Sequence, residues 1–396
     1  MTSSTPPARP ELSRRLGMGG AISIGLASML GTGVFAAWTP AMNLAGAYLM
    51  LALVIAGLIA SLNAWSTAAL ARVHPFAGGA YIYGRIRLGR TAGNIAGIAF
   101  VLGKIASAGA AALTIGTYVD AQHSTWIALA AIAAMIALDL RGVTRTAMAS
   151  AISAAIVVAV LLIVVVLSFS HYGSTVSGQV APLSPGPLGV LAASGILFVA
   201  FAGYARVATL GEEVRDPQRV LPRAIAISIV TVFALYLIVG IVVLHIVGPL
   251  DVREAAPLRQ LASIVGGSVL VTTVRIAAVV AAGGTLLSLL AGVGRTLFAM
   301  SREGDAPRAL TSVSTAGVPQ RAQIVAAIGA GVVVLFGGIG PALAVSGASI
   351  LTYYAIAHLA ALRMQPDEPR PPKIVPLLGL AGCALIAVAI VLAARF

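Results

Sequence analysis

The sequence predicts an all-α integral membrane protein, and three observations carry this prediction. Of its 396 residues, 59% are hydrophobic and only 9% are charged, against about half and about a quarter in soluble domains. The mean hydropathy is +1.01. Continuous apolar runs such as residues 156–167 differ from the alternating segments of about 10 residues in outer-membrane barrels. A soluble core cannot hold this much apolar surface, so soluble enzymes and nucleic-acid-binding domains are excluded.

Eleven apolar stretches are candidates for crossing a bilayer, which takes about 20 residues. Clusters of Arg, Pro or Gly bound them, and the fourth and ninth are short. The predicted spans are 17–38, 46–71, 94–119, 126–138, 147–169, 188–210, 224–247, 269–300, 322–336, 342–362 and 374–393. The polar, Pro-rich residues 1–16 are expected to form a disordered tail before an uncleaved first helix.

The distribution of Lys and Arg predicts the orientation, because these residues stay on the cytoplasmic side in short loops. With the N-terminus inside, 19 of the 25 fall on the cytoplasmic side and three outside, while Lys104, Arg206 and Arg275 lie within spans. We therefore expect a bacterial-type inner membrane protein with a cytoplasmic N-terminus and an external C-terminus. The net charge of +13 then reflects topology, and no nucleic-acid partner is expected.

Two spans carry small and polar residues in the middle of the membrane. The first contains Ser28, Gly31, Thr32 and Gly33, and the sixth contains Gly203 five spans later. One such site alone is typical of close helix packing. Interrupted helices at corresponding positions of two halves indicate an inverted-repeat transporter, whose substrate lies between half-helix ends.

Four stretches resemble the amino acid, polyamine and organocation (APC) superfamily of transporters. They are the Gly-rich residues 25–35; Pro75, Gly78, Gly79, Tyr81, Tyr83, Gly84 and Gly89 after the second span; residues 212–219 with Pro222 after the sixth; and Arg295, residues 299–304 and Pro307 after the eighth. This resemblance implies a LeuT-like fold with helices 1 and 6 unwound. Residues 17–170 would form the first inverted repeat, 188–362 the second, and 374–394 an additional helix.

The resemblance also implies the substrate site and a secondary active transport mechanism by alternating access. A broken helix presents backbone N–H groups and C=O groups to a zwitterion. The implied substrate-binding residues are Ser28, Gly31, Thr32, Gly33, Phe198, Phe201, Ala202 and Gly203. Ala27 stands where relatives usually have Gly, and Met29 is the intermediate residue, so binding of a carboxylate and binding of an amine both stay open.

Acidic residues in the sequence bear on the substrate. No Asp or Glu lies in the middle of any predicted span, so a cationic side chain would lack a buried counter-charge. The sequence therefore favours a small neutral amino acid. A small organic amine or polyamine, or exchange of amino acids, remains an alternative.

Charged and polar residues in the spans are candidates for coupling and gating. Lys104 is the lysine within a span, and a desolvated lysine can release and take up a proton; it could instead snorkel to the interface. Arg206 could pair with Glu212 or Glu213 as a cytoplasmic gate. Thr285 and Ser288 form a candidate ion site as in sodium-driven relatives, although such hydroxyls often bond their own backbone.

Other chemistry finds little support in the sequence. Cys383 is the single cysteine, and no metal-binding spacing or hydrolase motif is present. His245 and His358 are interpreted as residues of apolar faces. We expect no catalysis, no metal and no cofactor. The expected partners are a small-molecule substrate and the lipid bilayer, with protons as a candidate coupling ion and the oligomeric state open.

Overall fold

A computed structural model describes residues 16–74, 78–141, 147–170, 186–208, 214–248, 255–314 and 317–394. Within these ranges the regular secondary structure is helical, apart from an isolated parallel bridge between Leu16 and Val214. The helices are α1 (Met18–Met29), α2 (Thr32–Ala36), α3 (Trp38–Ala45), α4 (Leu49–Val73), α5 (Ala80–Leu88), α6 (Arg90–Val119), α7 (Ser124–Leu140), α8 (Ala147–Ser170), α9 (Pro187–Phe201), α10 (Ala205–Ala208), α11 (Pro217–Ile246), α12 (Pro257–Val265), α13 (Gly267–Arg302), α14 (Gln320–Phe336), α15 (Ile339–Leu362) and α16 (Ile374–Ala393).

The described residues contain nine helical segments that are long and apolar enough to cross a membrane. Two further apolar helices, α7 and α14, have 17 residues each and correspond to the two short stretches in the sequence. Several ends differ from prediction: α11 begins at Pro217 and α13 continues to Arg302. Both extensions contain arginines. A helix can continue beyond its apolar residues, because long arginine side chains place their charges in the polar region at the membrane surface.

The first predicted span is longer than its apolar residues suggest. Backbone hydrogen bonds from Ala37 N to Gly33 O (3.0 Å) and from Ala41 N to Ala37 O (3.1 Å) join α2 and α3 into one helical path. This path ends at Gly46, whose φ of 50° requires a residue without a side chain. The short helices α5 and α12 were not predicted.

Helix α6 occupies the centre of the fold, in contact with α5, α7, α13, α14 and α15. Small residues allow this close packing: a Cβ on Gly109 would lie 2.5 Å from Val333, and one on Gly103 would lie 2.8 Å from Ile350. At the end of α6, Arg275 donates to the carbonyls of Tyr118 (2.8 Å) and Val119. This bond ties α13 to the last turn of α6.

Buried apolar side chains form two clusters. The larger one involves α1 to α6, α8 to α13, α15 and α16. The second lies between α6, α7, α13 and α14 and includes Tyr81 of α5. Residues of α5, α6 and α13 occur in both clusters, and the broken first helix lies in the larger one.

Candidate functional site

The first helix is interrupted at the position that the sequence predicts. Helix α1 ends at Met29, Leu30 closes it by donating its N–H to Leu26 O (2.7 Å), and α2 starts at Thr32. Gly31 between them is not helical, with φ −86° and ψ −135°. The first N–H groups of α2 and the last carbonyls of α1 thus lie at a break in the helix.

The second interruption is milder than a full unwinding. Helix α9 ends at Phe201, Ala202–Tyr204 form a single 3₁₀ turn, and α10 follows directly. The N–H of Ala202 donates to the carbonyls of Phe198 and Val199. The chain therefore tightens here, and of the two predicted breaks the first is the more open.

The two interruptions touch each other. A Cβ on Gly203 would lie 2.2 Å from the carbonyl oxygen of Ser28, and one on Gly33 would lie 2.4 Å from Cα of Ala200. Such distances leave no room for any side chain. The two glycines thus let the backbones of the broken helices meet, which brings the predicted residues Ser28, Gly33 and Gly203 into one place.

Two of the three hydroxyls near this contact have hydrogen-bond partners among the described residues, and the third has none. The Ser28 hydroxyl donates to Ile24 O (2.7 Å) in its own helix. The Tyr236 hydroxyl of α11 donates to Met29 O (2.6 Å), the last carbonyl of α1. The Thr32 hydroxyl is buried and has no hydrogen-bond partner among the described residues. Tyr236 was not predicted, since it lies far away in sequence within an apolar run.

Aromatic rings enclose the contact. Phe198 is fully buried with its ring edge-on to Tyr354 at 5.9 Å between centroids. Phe201 packs against Tyr236 at 5.2 Å and against Phe233 at 6.4 Å. Both predicted phenylalanines therefore form part of an aromatic wall between α9, α11 and α15.

Of the two hydroxyls proposed for an ion site, one is at the break. A Cβ on Gly31 would lie 2.1 Å from the Thr285 hydroxyl oxygen, so Thr285 touches the non-helical residue. Thr285 and Ser288 donate to the carbonyls one turn earlier, Ala281 (2.9 Å) and Gly284 (2.8 Å). Ser288 is exposed, and no contact brings it to the break within the described residues.

Lys104 lies on α6 and is partly buried. Its ammonium is 5.7 Å from the ring centroid of Phe100, and that ring packs against Tyr353 of α15 at 5.2 Å. One turn further, the hydroxyls of Ser107 and Ser346 are 2.6 Å apart. Lys104 therefore lies on the side of α6 that meets α15.

Asp305 follows the end of α13 and accepts hydrogen bonds from four side chains. Its buried carboxylate accepts hydrogen bonds from Tyr81 (2.8 Å), Arg90 (2.9 Å) and Arg85, and from the Asn94 amide (2.7 Å) in the orientation that satisfies it. Burial opposes ionisation, but the bonds from Tyr81 and Arg90 and the charge of Arg85 lower the pKa of Asp305 overall. Burial and the bond to Asp305 raise the pKa of Tyr81 to about 12.

A second network lies beside it. Arg87 pairs with Glu368, donates to Arg363 O (3.2 Å) and donates to Nε2 of His74 (3.1 Å). The Arg87 bond lowers the pKa of Glu368. Burial and the charge of Arg87 lower the pKa of His74, so this ring accepts the bond in its neutral form.

The predicted gate residues are placed only in part. Arg206 is exposed on α10. Glu212 and Glu213 lie outside the described residues, as does Pro75 of the second sequence motif. The Asp305 network was not predicted, although its residues fall in or beside two of the motifs.

Long membrane-spanning helices and two broken helices in contact define the class of membrane transporters with interrupted helices. A family model described as "Amino acid permease" matches residues 20–394. The chain therefore belongs to the amino acid permease family of the APC superfamily.

Relatives support the same assignment. An uncharacterized transporter of Mycobacterium tuberculosis is 42% identical over 382 residues, covering 96% of this chain and 87% of that protein. The vacuolar cationic amino acid transporter 2 of Arabidopsis thaliana is 28% identical over 91% of this chain and 61% of its own length. The inner membrane transport protein YbaT of Escherichia coli is 24% identical, with 90% and 85% coverage.

Proposed function

We propose that this protein is a secondary active transporter that moves a small neutral amino acid across the cell membrane by alternating access. The observation that carries the proposal is the contact between the two interrupted helices at Gly33 and Gly203. Unpaired backbone groups at such a break are the natural partners of the carboxylate and ammonium of an amino acid.

The polar groups at the break support this substrate class. The N–H groups at the start of α2 are available to a carboxylate, because the first turn of a helix leaves its donors without intrahelical acceptors. The buried hydroxyl of Thr32, without a partner among the described residues, can bond either end of the zwitterion. Phe198 and Phe201 supply the apolar wall next to a short side chain.

A neutral side chain fits the charges near the break. In the described spans, Asp139 lies in the last turn of α7, and Asp120 follows α6 and bonds to Gln122 and His123; neither lies in the middle of a span. The names of the Arabidopsis relatives favour cationic amino acids as a second candidate. That candidate requires a carboxylate that reaches the substrate, and Glu212 and Glu213 are the residues to test first.

The proposed mechanism moves one body of the protein against the other. The inverted repeats would be residues 17–170 and 188–362, with 374–394 outside them and the N-terminus in the cytoplasm. The first, second, sixth and seventh spans would rock as a bundle against the rest.

Proton coupling is proposed to use Lys104. Its ammonium has no carboxylate partner within the described ranges and lies on an aromatic ring between α6 and α15. Loss of its proton there costs no ion pair. Arg206 with Glu212 or Glu213 would close the cytoplasmic side, and Thr285 with Ser288 is the alternative ion site if sodium drives transport.

Uptake of radiolabelled alanine into proteoliposomes with an inward proton gradient tests the proposal. We expect saturable, gradient-driven uptake that unlabelled alanine competes and that Lys104→Ala reduces. Arginine and a small amine serve as competing substrates in parallel. Saturable uptake of labelled arginine or of the amine, with none of alanine, would contradict the neutral amino acid assignment.

A further inference from the structure

A buried polar network lies away from the substrate site, around His358 of α15. The imidazole is fully buried, with Nδ1 2.9 Å from the Ser66 hydroxyl and Nε2 2.7 Å from Oδ1 of Asn63. The Cys383 thiol donates to the same Oδ1 (3.3 Å). His358 is therefore not the residue of an apolar face that the sequence suggested.

The space around the ring is shaped for it. A Cβ on Gly379 of α16 would lie 2.1 Å from Cε1 and 2.2 Å from Nε2 of His358. Glycine at this position lets α16 close over the imidazole. The network thus joins three helices, with Asn63 and Ser66 on α4, His358 on α15, and Gly379 and Cys383 on α16.

The hydrogen bonds are compatible with both protonation states of the ring. In the neutral state Nε2–H donates to Asn63 Oδ1, while Nδ1 accepts from the Ser66 hydroxyl. In the cationic state Nδ1–H donates to the same hydroxyl oxygen, which needs only rotation of the hydroxyl proton. Asn63 keeps accepting throughout, and its Nδ2 has no partner among the described residues.

The titratable neighbours of His358 are few in the described part of the chain. On α16 the titratable neighbour is Cys383, whose thiol bonds to the same Asn63 oxygen as the imidazole. Tyr204 and Tyr354 lie next to this thiol. On α6 it is Lys104, separated from this region by the rings of Phe100 and Tyr353. From α5, Ala80, Tyr83 and Gly84 lie against α15, and the titratable one, Tyr83, is beside Tyr353. From α4, only the neutral Asn63 and Ser66 contact the ring.

We propose that His358 is a second proton-binding residue, which ties α4 to α15 and α16 when it is neutral. This inference rests on the proposed function, in which α4 belongs to the moving bundle. The ring is fully buried and none of its described hydrogen-bond partners is a carboxylate, so burial disfavours the cationic form of His358 in the docked arrangement. Protonation therefore favours separation of α4 from α15 and α16, and loss of the proton lets α4 dock again for the next step of the cycle.

The first test compares His358→Gln with His245→Gln in proteoliposomes. His245 is an exposed histidine at the end of α11, with Nδ1 3.2 Å from Ile241 O, and serves as the matched control. We expect His358→Gln to retain alanine counterflow without a gradient but to lose the gradient-driven component and the pH dependence of uptake. His245→Gln should keep both.

The second test uses the two partners on α4 and reads the pH profile of uptake. Asn63→Asp places a carboxylate beside the imidazole and should shift the profile to higher pH by about one unit or more. Ser66→Ala removes the acceptor of the Nδ1 proton and should shift the profile to lower pH. A merely structural role would not move the profile in opposite directions.

The outcomes separate the inference from the proposed function. A folded wild type without alanine counterflow overturns the proposed function. If wild type shows counterflow but a proton gradient does not stimulate its uptake of alanine, the role of His358 is overturned. A His358→Gln variant with the wild-type pH profile of uptake also overturns it. If His358→Gln does not fold, unchanged pH profiles of Asn63→Asp and Ser66→Ala overturn that role instead.

Discussion

Alanine at Gly203 would place a methyl group inside the contact between the two broken helices. The added Cβ would lie 2.2 Å from the carbonyl oxygen of Ser28, 2.3 Å from its carbonyl carbon and 2.6 Å from the nitrogen of Met29. All three atoms belong to the backbone, so no side chain can turn away. Overpacking of this kind costs about 1–3 kcal/mol, which changes the population of the closely packed state by roughly 5- to 150-fold.

Counterflow of labelled alanine measures this effect without an ion gradient, and a melting curve of the purified protein measures stability. We expect Gly203→Ala to reduce the initial rate by about five-fold or more, following that change in population. Gly283→Ala on α13 is the control, because its Cβ meets no atom within 4 Å among the described residues. It should retain the wild-type rate. A Gly203→Ala rate equal to that of Gly283→Ala would refute the close contact.

Three further perturbations test other contacts. Tyr236→Phe keeps the ring but removes the hydroxyl that donates to the Met29 carbonyl oxygen 2.6 Å away. We expect the free energy of unfolding to fall by about 1–3 kcal/mol, measured by thermal unfolding. An unchanged melting temperature would contradict this bond. Asp305→Asn should lower the melting temperature at neutral pH. The pKa of Asp305 is below its ordinary value of 3.8, so the contribution of Asp305 to stability is complete above pH 3.8 and is lost as pH falls through the lowered pKa. The variant should lose this acid dependence. A variant as stable as wild type would argue against the network. The pKa of His74 is below 6.5, so neutral His74 stabilises the fold above that pH, and this contribution is lost on acidification. His74→Gln should therefore reduce the slope of the melting temperature plotted against pH. A slope equal to that of wild type would exclude this contribution of His74.

Continuous apolar runs predicted the helices well. Each of the 11 predicted stretches coincides with one or more helices of the described residues, because length and hydropathy locate apolar helical segments. The interruption near Gly31 was also predictable, since two glycines beside polar residues weaken a helix locally. The helices α5 and α12 were missed, because short helices outside the apolar runs have no comparable signal.

The contacts that complete the site could not be predicted in the same way. Tyr236 meets Met29 across 207 positions, and His358 meets Asn63 across 295. Pairing over such distances depends on how the helices pack, which one sequence does not specify. Asp305 was similar: its loop had a recognisable pattern, but the donors converge on it only in the folded chain.

Alanine counterflow by the wild-type protein tests the central claim most directly. Proteoliposomes loaded with unlabelled alanine are diluted into labelled alanine without any ion gradient, and labelled arginine and a small amine are run in parallel. We expect transient, saturable accumulation of labelled alanine that exceeds both other substrates and is absent from empty liposomes. Accumulation of arginine or of the amine alone, by the same folded protein, would contradict the assignment of a neutral amino acid as substrate.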